Sequence, residues 1–304
     1  MIRLRAPGKL NLLLRVLGRR DDGYHEIETV LERVDLADEL TFETHPQQIV
    51  LTCSDPTLSC GEDNLILKAA RLLQRVSGTT TGARIHLTKR VPIAAGMGGG
   101  SSDAAATLVG LNQLWELGLA QTQLVESAAQ LGSDVPFFLS PMPFAIARGR
   151  GERCEPLPAG VSLAHVVVSL PQRLSTREIY EGAQFDLTAR HGSSTIIEHA
   201  LRNGSLGELA EGLWNDLEPE AIRRCPRSAL IQGYLRTAGC LAARVTGSGP
   251  TVFGLCRDLL HAREASLQLS ALLQADPSFR SGGVSSLYRI EVVQTDGTLL
   301  SESS

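Results

Sequence analysis

Apolar residues near the N-terminus fall in short runs, at 3–5, 10–17, 27–34 and 39–43, with a turn signal at 21–23. That alternation predicts a meander of strands. From Asp63 the period changes: Leu65, Ala69, Leu72, Leu73 and Val76 recur at helical spacing, and Gly78 closes the run. Residues 84–88 read as a strand. Residues 91–117 read as a strand end, a glycine loop and a helix that stacks Ala104, Leu108, Leu111 and Trp115 on one face. A helix over 122–131 runs into Gly132, Ser133 and Asp134, after which Phe137, Phe138 and the stretch 144–147 read as buried extended chain.

Pro156 and Pro158 punctuate the pattern, which then restarts with a strand at 164–170 and helices through Leu235. Strands at 241–245 and 251–256 flank a turn at 247–250. A helix to about Leu273, a strand near 289–293 and a polar tail after Leu300 complete the chain. The restart places a domain boundary at the proline pair, giving domains 1–157 and 158–304.

Composition narrows the class. A chain of 304 residues with 43% hydrophobic and 20% charged residues and a mean hydropathy of +0.01 is an ordinary soluble globular protein, long enough for two domains. A net charge of -4 and a pI near 6.0 argue against nucleic acid as a partner. Lys9, Asn11 and Arg15 interrupt the first apolar run, and no segment approaches the roughly 20 apolar residues of a membrane span. The expectation is a cytoplasmic protein with no membrane partner; nothing in the sequence fixes an oligomeric state. The 6 cysteines form no Cys-x-x-Cys pair and the 7 histidines have no metal-ligand spacing, so both read as structural. Only Lys9, Lys68 and Lys89 among 29 basic residues are lysines. A compact ammonium is kept where a planar guanidinium would not serve.

The chemistry concentrates at 92–106, PIAAGMGGGSSDAAA, where Gly96, Gly98, Gly99 and Gly100 precede a helix whose first turn carries Ser101, Ser102 and Asp103. Glycines let backbone approach a ligand closely, and free amides at a helix start bind anions; Ser101 or Ser102 is expected to cap the helix. The segment lacks the Gly-Lys-Ser/Thr of a Walker loop, the third glycine of a dinucleotide fingerprint and the second glycine of a hydrolase elbow. Phosphoryl transfer also needs a group to position and deprotonate an alcohol. Asp134, between a helix end and an apolar run, and Lys9, in mid-strand among apolar neighbours, are the candidates. Each also has a structural reading, as half of a buried ion pair or as a lysine on a solvated face.

These residues resemble a known family. Segment 92–106 looks like the phosphate loop of the GHMP kinases, the family of galactokinase and of homoserine, mevalonate and phosphomevalonate kinases. APGKLNL (6–12) and TGSGPTVFG (246–254) are similar to its other two motifs, in family order. DGYHEIET (22–29), DNLI (63–66), LGSDVPFF (131–138) and GRGE (149–152) resemble the branch that phosphorylates 4-diphosphocytidyl-2-C-methyl-D-erythritol on the non-mevalonate route to isoprenoid precursors.

The resemblance implies a two-domain α+β GHMP kinase fold with the active site in the interdomain cleft, ATP and Mg²⁺ as cofactors, and a small-molecule cytidyl substrate. It implies that Asp134 takes the proton from the substrate hydroxyl and that Lys9 holds that charge in place. Pro92, Ile93, Ala94, Ala95, Gly96, Met97, Gly98, Gly99, Gly100, Ser101 and Ser102 would wrap the ATP phosphates, with Asn64 and Lys89 in segments flanking the adenosine half. Asn11, Tyr24 and His25 fall where the family binds the diphosphocytidyl group, His25 suited to a cytosine edge and Tyr24 to stacking. Thr176 and Tyr180 match a second-domain segment, Tyr180 supplying an opposing aromatic face. Taken alone, Tyr24 and His25 also fit a solvated turn. Asp103 stands where some members carry asparagine, and no motif fixes the metal ligands. The rivals are a kinase for mevalonate-like, homoserine-like or sugar alcohols, and a nucleotide-binding regulator without transfer activity.

Overall fold

The computed structural model describes residues 1–185, 192–279, 288–298 and 300; the polar tail after Leu300 lies outside them. The first half contains β1 (Ile2–Arg19), β2 (His25–His45), β3 (Ile49–Cys53), α1 (Leu65–Ser77), β4 (Gly82–Thr88), α2 (Gly99–Leu114), α3 (Gln121–Leu131), α4 (Val135–Phe138), β5 (Phe144–Gly149) and β6 (Arg153–Pro156). The second contains β7 (Ala164–Ser169), α5 (Thr176–Gly182), α6 (Ser194–Asn203), α7 (Leu206–Gly212), β8 (Trp214–Asn215), α8 (Glu218–Arg224), α9 (Arg227–Thr237), β9 (Ala242–Val245), β10 (Val252–Cys256), α10 (Leu259–Ala275) and β11 (Arg289–Gln294).

A 7-stranded sheet runs β3-β4-β2-β1-β8, with β5 and β6 joined to the early part of β2. A 4-stranded antiparallel sheet runs β11-β7-β10-β9. Strand and helix are mixed in both halves, the α+β class read from the sequence.

β1 and β2 form one antiparallel ribbon, from Ile2 opposite Phe42 to Arg19 opposite His25. The sequence pattern predicts four shorter strands here. The break it reads between 3–5 and 10–17 is a register shift at Pro7/Gly8, and further shifts at Asn11/Leu13 and Val16/Gly18 bend the ribbon without ending it. β1 thereby threads three apolar clusters. Leu4 and Ala6 pack under α1 and α2, Leu14 and Val16 pack on the helices of the smaller sheet, and Leu10, Leu12 and Leu13 meet Val167 and Phe253 between the sheets.

Two other local expectations are corrected. α2 begins at Gly99 with Gly98, at φ 69°, as its cap, so Ser101 and Ser102 sit inside the first turn and cap nothing. Phe137 and Phe138 are buried as expected but lie in the short helix α4, which Pro136 helps start, and no strand end precedes the loop at Val91.

Candidate active site

The bend in β1 carries Lys9 inward. Its backbone N–H donates to Met97 O at 2.9 Å, tying the strand to the glycine loop. Its side chain passes between two glycines: a Cβ added at Gly98 would lie 3.0 Å from Lys9 Cγ, and one at Gly247 3.1 Å from Lys9 Nζ. The ammonium donates to Asn11 Oδ1 at 2.5 Å and lies 3.7 Å from Asp134 Oδ2. Burial pushes the Lys9 pKa down, against the pull of the Asp134 charge. Asn11 is itself fixed, its amide donating to Thr29 Oγ1 at 2.9 Å and its backbone N–H to Thr246 Oγ1 at 3.0 Å. Asp134 stands at the start of α4 without a capping bond and stays 34% exposed, so its carboxylate reaches the cleft while Lys9 is held beneath it.

Around the loop, Ala94 and Gly96 adopt φ of 52° and 81°. An alanine in that region is strained. Three amides of the first turn of α2, at Gly99, Gly100 and Ser101, have no intrahelical acceptor. Beneath them Ser102 Oγ and Asp103 Oδ1 are buried without a partner among the described residues. Lys89 lies behind the loop, donating to Asp38 Oδ2 at 2.5 Å and Asp103 Oδ2 at 2.9 Å. Asp38 also accepts from the backbone of Arg90 and Val91, so it is fully satisfied while Asp103 is not. Burial and the Asp38 charge hold the Asp103 carboxyl up at about 8 despite Lys89. Asn64 caps α1, accepting from Ile66 N at 2.9 Å and donating to Ser59 O at 2.6 Å.

The other arm of the site is aromatic. His25 stacks on Tyr180 with centroids 5.0 Å apart at 25°, and Phe185 meets His25 edge-on at 5.4 Å. Tyr24 is 55% exposed and carries the Arg150 guanidinium 4.8 Å above its ring. The ring that Tyr180 faces is therefore His25. Burial, with Arg19 nearby, pushes the His25 pKa down, and burial pushes the largely buried Tyr180 phenol up. Thr176 Oγ1 lies 2.9 Å from Ser248 Oγ, joining α5 to the turn after β9.

One cleft of about 1160 Å³ gathers these groups from both halves of the chain. Every sequence-predicted site residue lines it except Met97, which is in the core between the sheets, and Ser102, which is under the first turn.

Comparisons with known proteins give the family and the fold. The pattern described as GHMP kinases N terminal domain matches residues 64–141, and the one described as GHMP kinases C terminal matches residues 197–275. The chain is 44% identical to a 4-diphosphocytidyl-2-C-methyl-D-erythritol kinase of Pelotomaculum thermopropionicum, over 86% of this chain and 91% of that one. The chain belongs to the GHMP kinases. Among solved structures, a 4-(cytidine 5'-diphospho)-2C-methyl-D-erythritol kinase superposes with a TM-score of 0.77 at 34% identity, covering 96% of this chain and 99% of the other. A homoserine kinase from Cytophaga hutchinsonii reaches the same TM-score of 0.77 at 18% identity, covering 97% and 94%, which speaks for the GHMP kinase fold alone.

Several side chains of this GHMP kinase site escape a reading by motif. Asn215, from the 2-residue strand β8, donates to Val245 O and Gly247 O, both at 2.8 Å, and so pins the third motif. No periodicity marks so short a strand. Phe185 and Arg19 likewise have no local signal, because only the fold brings them to His25.

Proposed function

We infer that this kinase transfers the γ-phosphoryl group of ATP to the 2-hydroxyl of 4-diphosphocytidyl-2-C-methyl-D-erythritol, in non-mevalonate isoprenoid precursor synthesis. The observation that carries the reading is the 44% identity to a kinase named for that substrate. It is joined in one cleft by an aromatic arm, a buried lysine-carboxylate pair and a glycine loop.

Asp134 accepts the proton of the substrate hydroxyl as its oxygen forms the new bond to phosphorus; the bond to the bridging oxygen breaks and ADP leaves. Lys9 holds the carboxylate in place by its charge, and Asn11 holds Lys9. The amides of Gly99, Gly100 and Ser101 receive phosphate oxygens at the helix start. His25, with its pKa lowered, presents a neutral imidazole to a neutral base, Tyr24 and Tyr180 supply the ring surface, and Phe185 braces His25 edge-on. The described residues contain no cluster of three His, Cys, Asp or Glu that would cage a metal. The Asp134 carboxylate faces the cleft, and Ser102 Oγ and Asp103 Oδ1 lie orphaned beneath the loop, which fits Mg²⁺ arriving on the nucleotide with most of its ligands from phosphate and water. Bound there, Mg²⁺ would neutralise phosphate charge.

In this reading residues 1–157 hold ATP and 158–304 close the substrate pocket, with β8 returned to the first sheet. We also propose a cytoplasmic location; no helix among the described residues is long and apolar enough to cross a membrane. The test is ADP release with ATP and Mg²⁺, comparing the diphosphocytidyl alcohol with mevalonate, homoserine and galactose. Turnover confined to the cytidyl substrate is expected. Turnover with one of the others and none with the cytidyl substrate would overturn the assignment.

A further inference from the structure

Five cationic side chains line the cleft, Lys9, Arg19, Lys89, Arg150 and Arg177. Three are committed within the protein: Lys9 to Asn11 and Asp134, Lys89 to two carboxylates, and Arg177 to Glu181 at 2.8 Å. Arg19 makes no ion pair among the described residues. Arg150 has no carboxylate within hydrogen-bond reach among the described residues: Glu152 lies 4.0 Å from Nε, and Asp22 feels the Arg150 charge only at longer range. Glu152 serves the backbone instead, accepting from the Arg150 N–H at 2.7 Å.

That turn is built to aim one side chain. Gly149 and Gly151 flank Arg150 at φ of 77° and 109°, conformations that favour glycine. A Cβ on Gly151 would lie 3.5 Å from Ser133 Cβ, so the turn packs beside the neighbour of Asp134. From there the guanidinium reaches 4.8 Å above the Tyr24 ring. Arg150 thus stands between the base that would take the alcohol proton and the aromatic arm that would take the cytosine.

We propose that Arg150, supported by Arg19, binds the diphosphate that joins the cytosine end of the substrate to its alcohol end, and so makes a charged linker a requirement for productive binding. The inference rests on the functional reading above. It follows from chemistry: a substrate spanning the two ends must lay two phosphates along this stretch, and a guanidinium presents a planar fork that matches phosphate oxygens. In the free protein Tyr24 holds the cation by its ring face, a weaker contact than the one phosphate offers.

The test is calorimetric titration with cytidine and with cytidine 5'-diphosphate, under a saturating non-hydrolysable ATP analogue that fills the glycine loop. Wild type should bind the diphosphate more tightly than the nucleoside. Arg150→Ala should lose roughly 10- to 100-fold for the diphosphate and leave cytidine nearly unchanged, with Arg150→Lys partly restoring the preference. In turnover the same variant should raise KM for the cytidyl substrate and leave kcat and KM for ATP near wild type. An unchanged preference in Arg150→Ala would overturn the proposal while leaving the functional reading intact. If wild type binds neither cytidine compound and does not turn over the cytidyl alcohol, the functional reading fails and this inference with it.

Discussion

A carboxylate and an ammonium 3.7 Å apart, one open to the cleft and the other beneath it, divide the work of deprotonating an alcohol between an accessible base and a fixed charge. Asp134→Asn keeps the shape and removes the base, so kcat should fall by roughly 100- to 10,000-fold with KM for ATP little changed. Near-normal turnover in the ADP-release assay would remove Asp134 from that role. Asp103 supports a different prediction. Its folded pKa of about 8 lies above the ordinary 3.8, so the folded protein holds a proton that the unfolded chain releases between those values. The contribution is full below about pH 4 and lost as pH rises through 8, and stability should decline across that window. Asp103→Asn keeps the protonated shape without that loss. The Tm difference between variant and wild type should grow by a few degrees from pH 5 to pH 8.5; a constant difference would place the proton elsewhere. Part of this was legible. The scarcity of lysine singled out Lys9 and Lys89, both of which prove buried in ion pairs, while Lys68 is exposed on α1. Asp38 was not legible, because it falls in the gap between the predicted strands at 27–34 and 39–43 and its partner is Lys89, 51 residues away.

At the scale of elements, the loop and the third motif are one interlocked piece. A Cβ on Gly96 would lie 2.2 Å from Thr246 O, a backbone atom that cannot swing aside, and the residue sits at φ 81°. Gly100, two residues into α2, has nothing nearer than Leu65 Cδ1 at 3.8 Å. Gly96→Ala should therefore lower Tm and raise KM for ATP at least several-fold, since the left-handed conformation alone costs about 1–2 kcal/mol. Gly100→Ala should leave Tm near wild type in the same thermal melts; an equal loss of Tm from the two would mean the loop, not its contact with Thr246, is what matters. Glycines directly before a helix start marked the segment as an anion site, and the resemblance named the anion as phosphate. Neither could distinguish a glycine required by a distant backbone from one required by a ligand, or show that α2 begins at Gly99 instead of being capped by serine. The ribbon of β1 and β2 was legible as strand but not as continuous strand, because a bulge and a turn leave the same mark in an apolar pattern. Phe137 and Phe138 show the converse, since burial fixes hydrophobicity and leaves the choice between strand and a single helical turn to Pro136 and the chain's path.

The two halves of the molecule share more than a cleft. Leu10, Leu12, Leu13, Val30 and Val34 from the first sheet pack in one cluster with Val167, Phe253 and Leu255 of the second and with Ile197 and Leu201 of α6. A pattern that restarts after Pro158 reveals the second sheet but not this common core, which depends on pairs far apart in sequence. At its edge Glu32 of β2, fully buried, receives His165 Nε2 of β7 at 2.8 Å and the Thr295 hydroxyl at 2.7 Å. His165 Nδ1 has no partner among the described residues, so the ring is oriented by Glu32 alone, with Phe253 edge-on at 5.5 Å. Removing Glu32 leaves the buried donors of His165 and Thr295 unsatisfied, at a cost of roughly 1–3 kcal/mol. Glu32→Ala should accordingly lower the unfolding free energy by about that amount in urea melts, and because the cluster spans both sheets the loss should appear as one transition. Tryptophan fluorescence and far-ultraviolet circular dichroism should shift together. If fluorescence and dichroism instead separate, with one half melting first at an unchanged midpoint for the other, the core between the sheets does not couple them, and residues 1–157 and 158–304 fold as independent units.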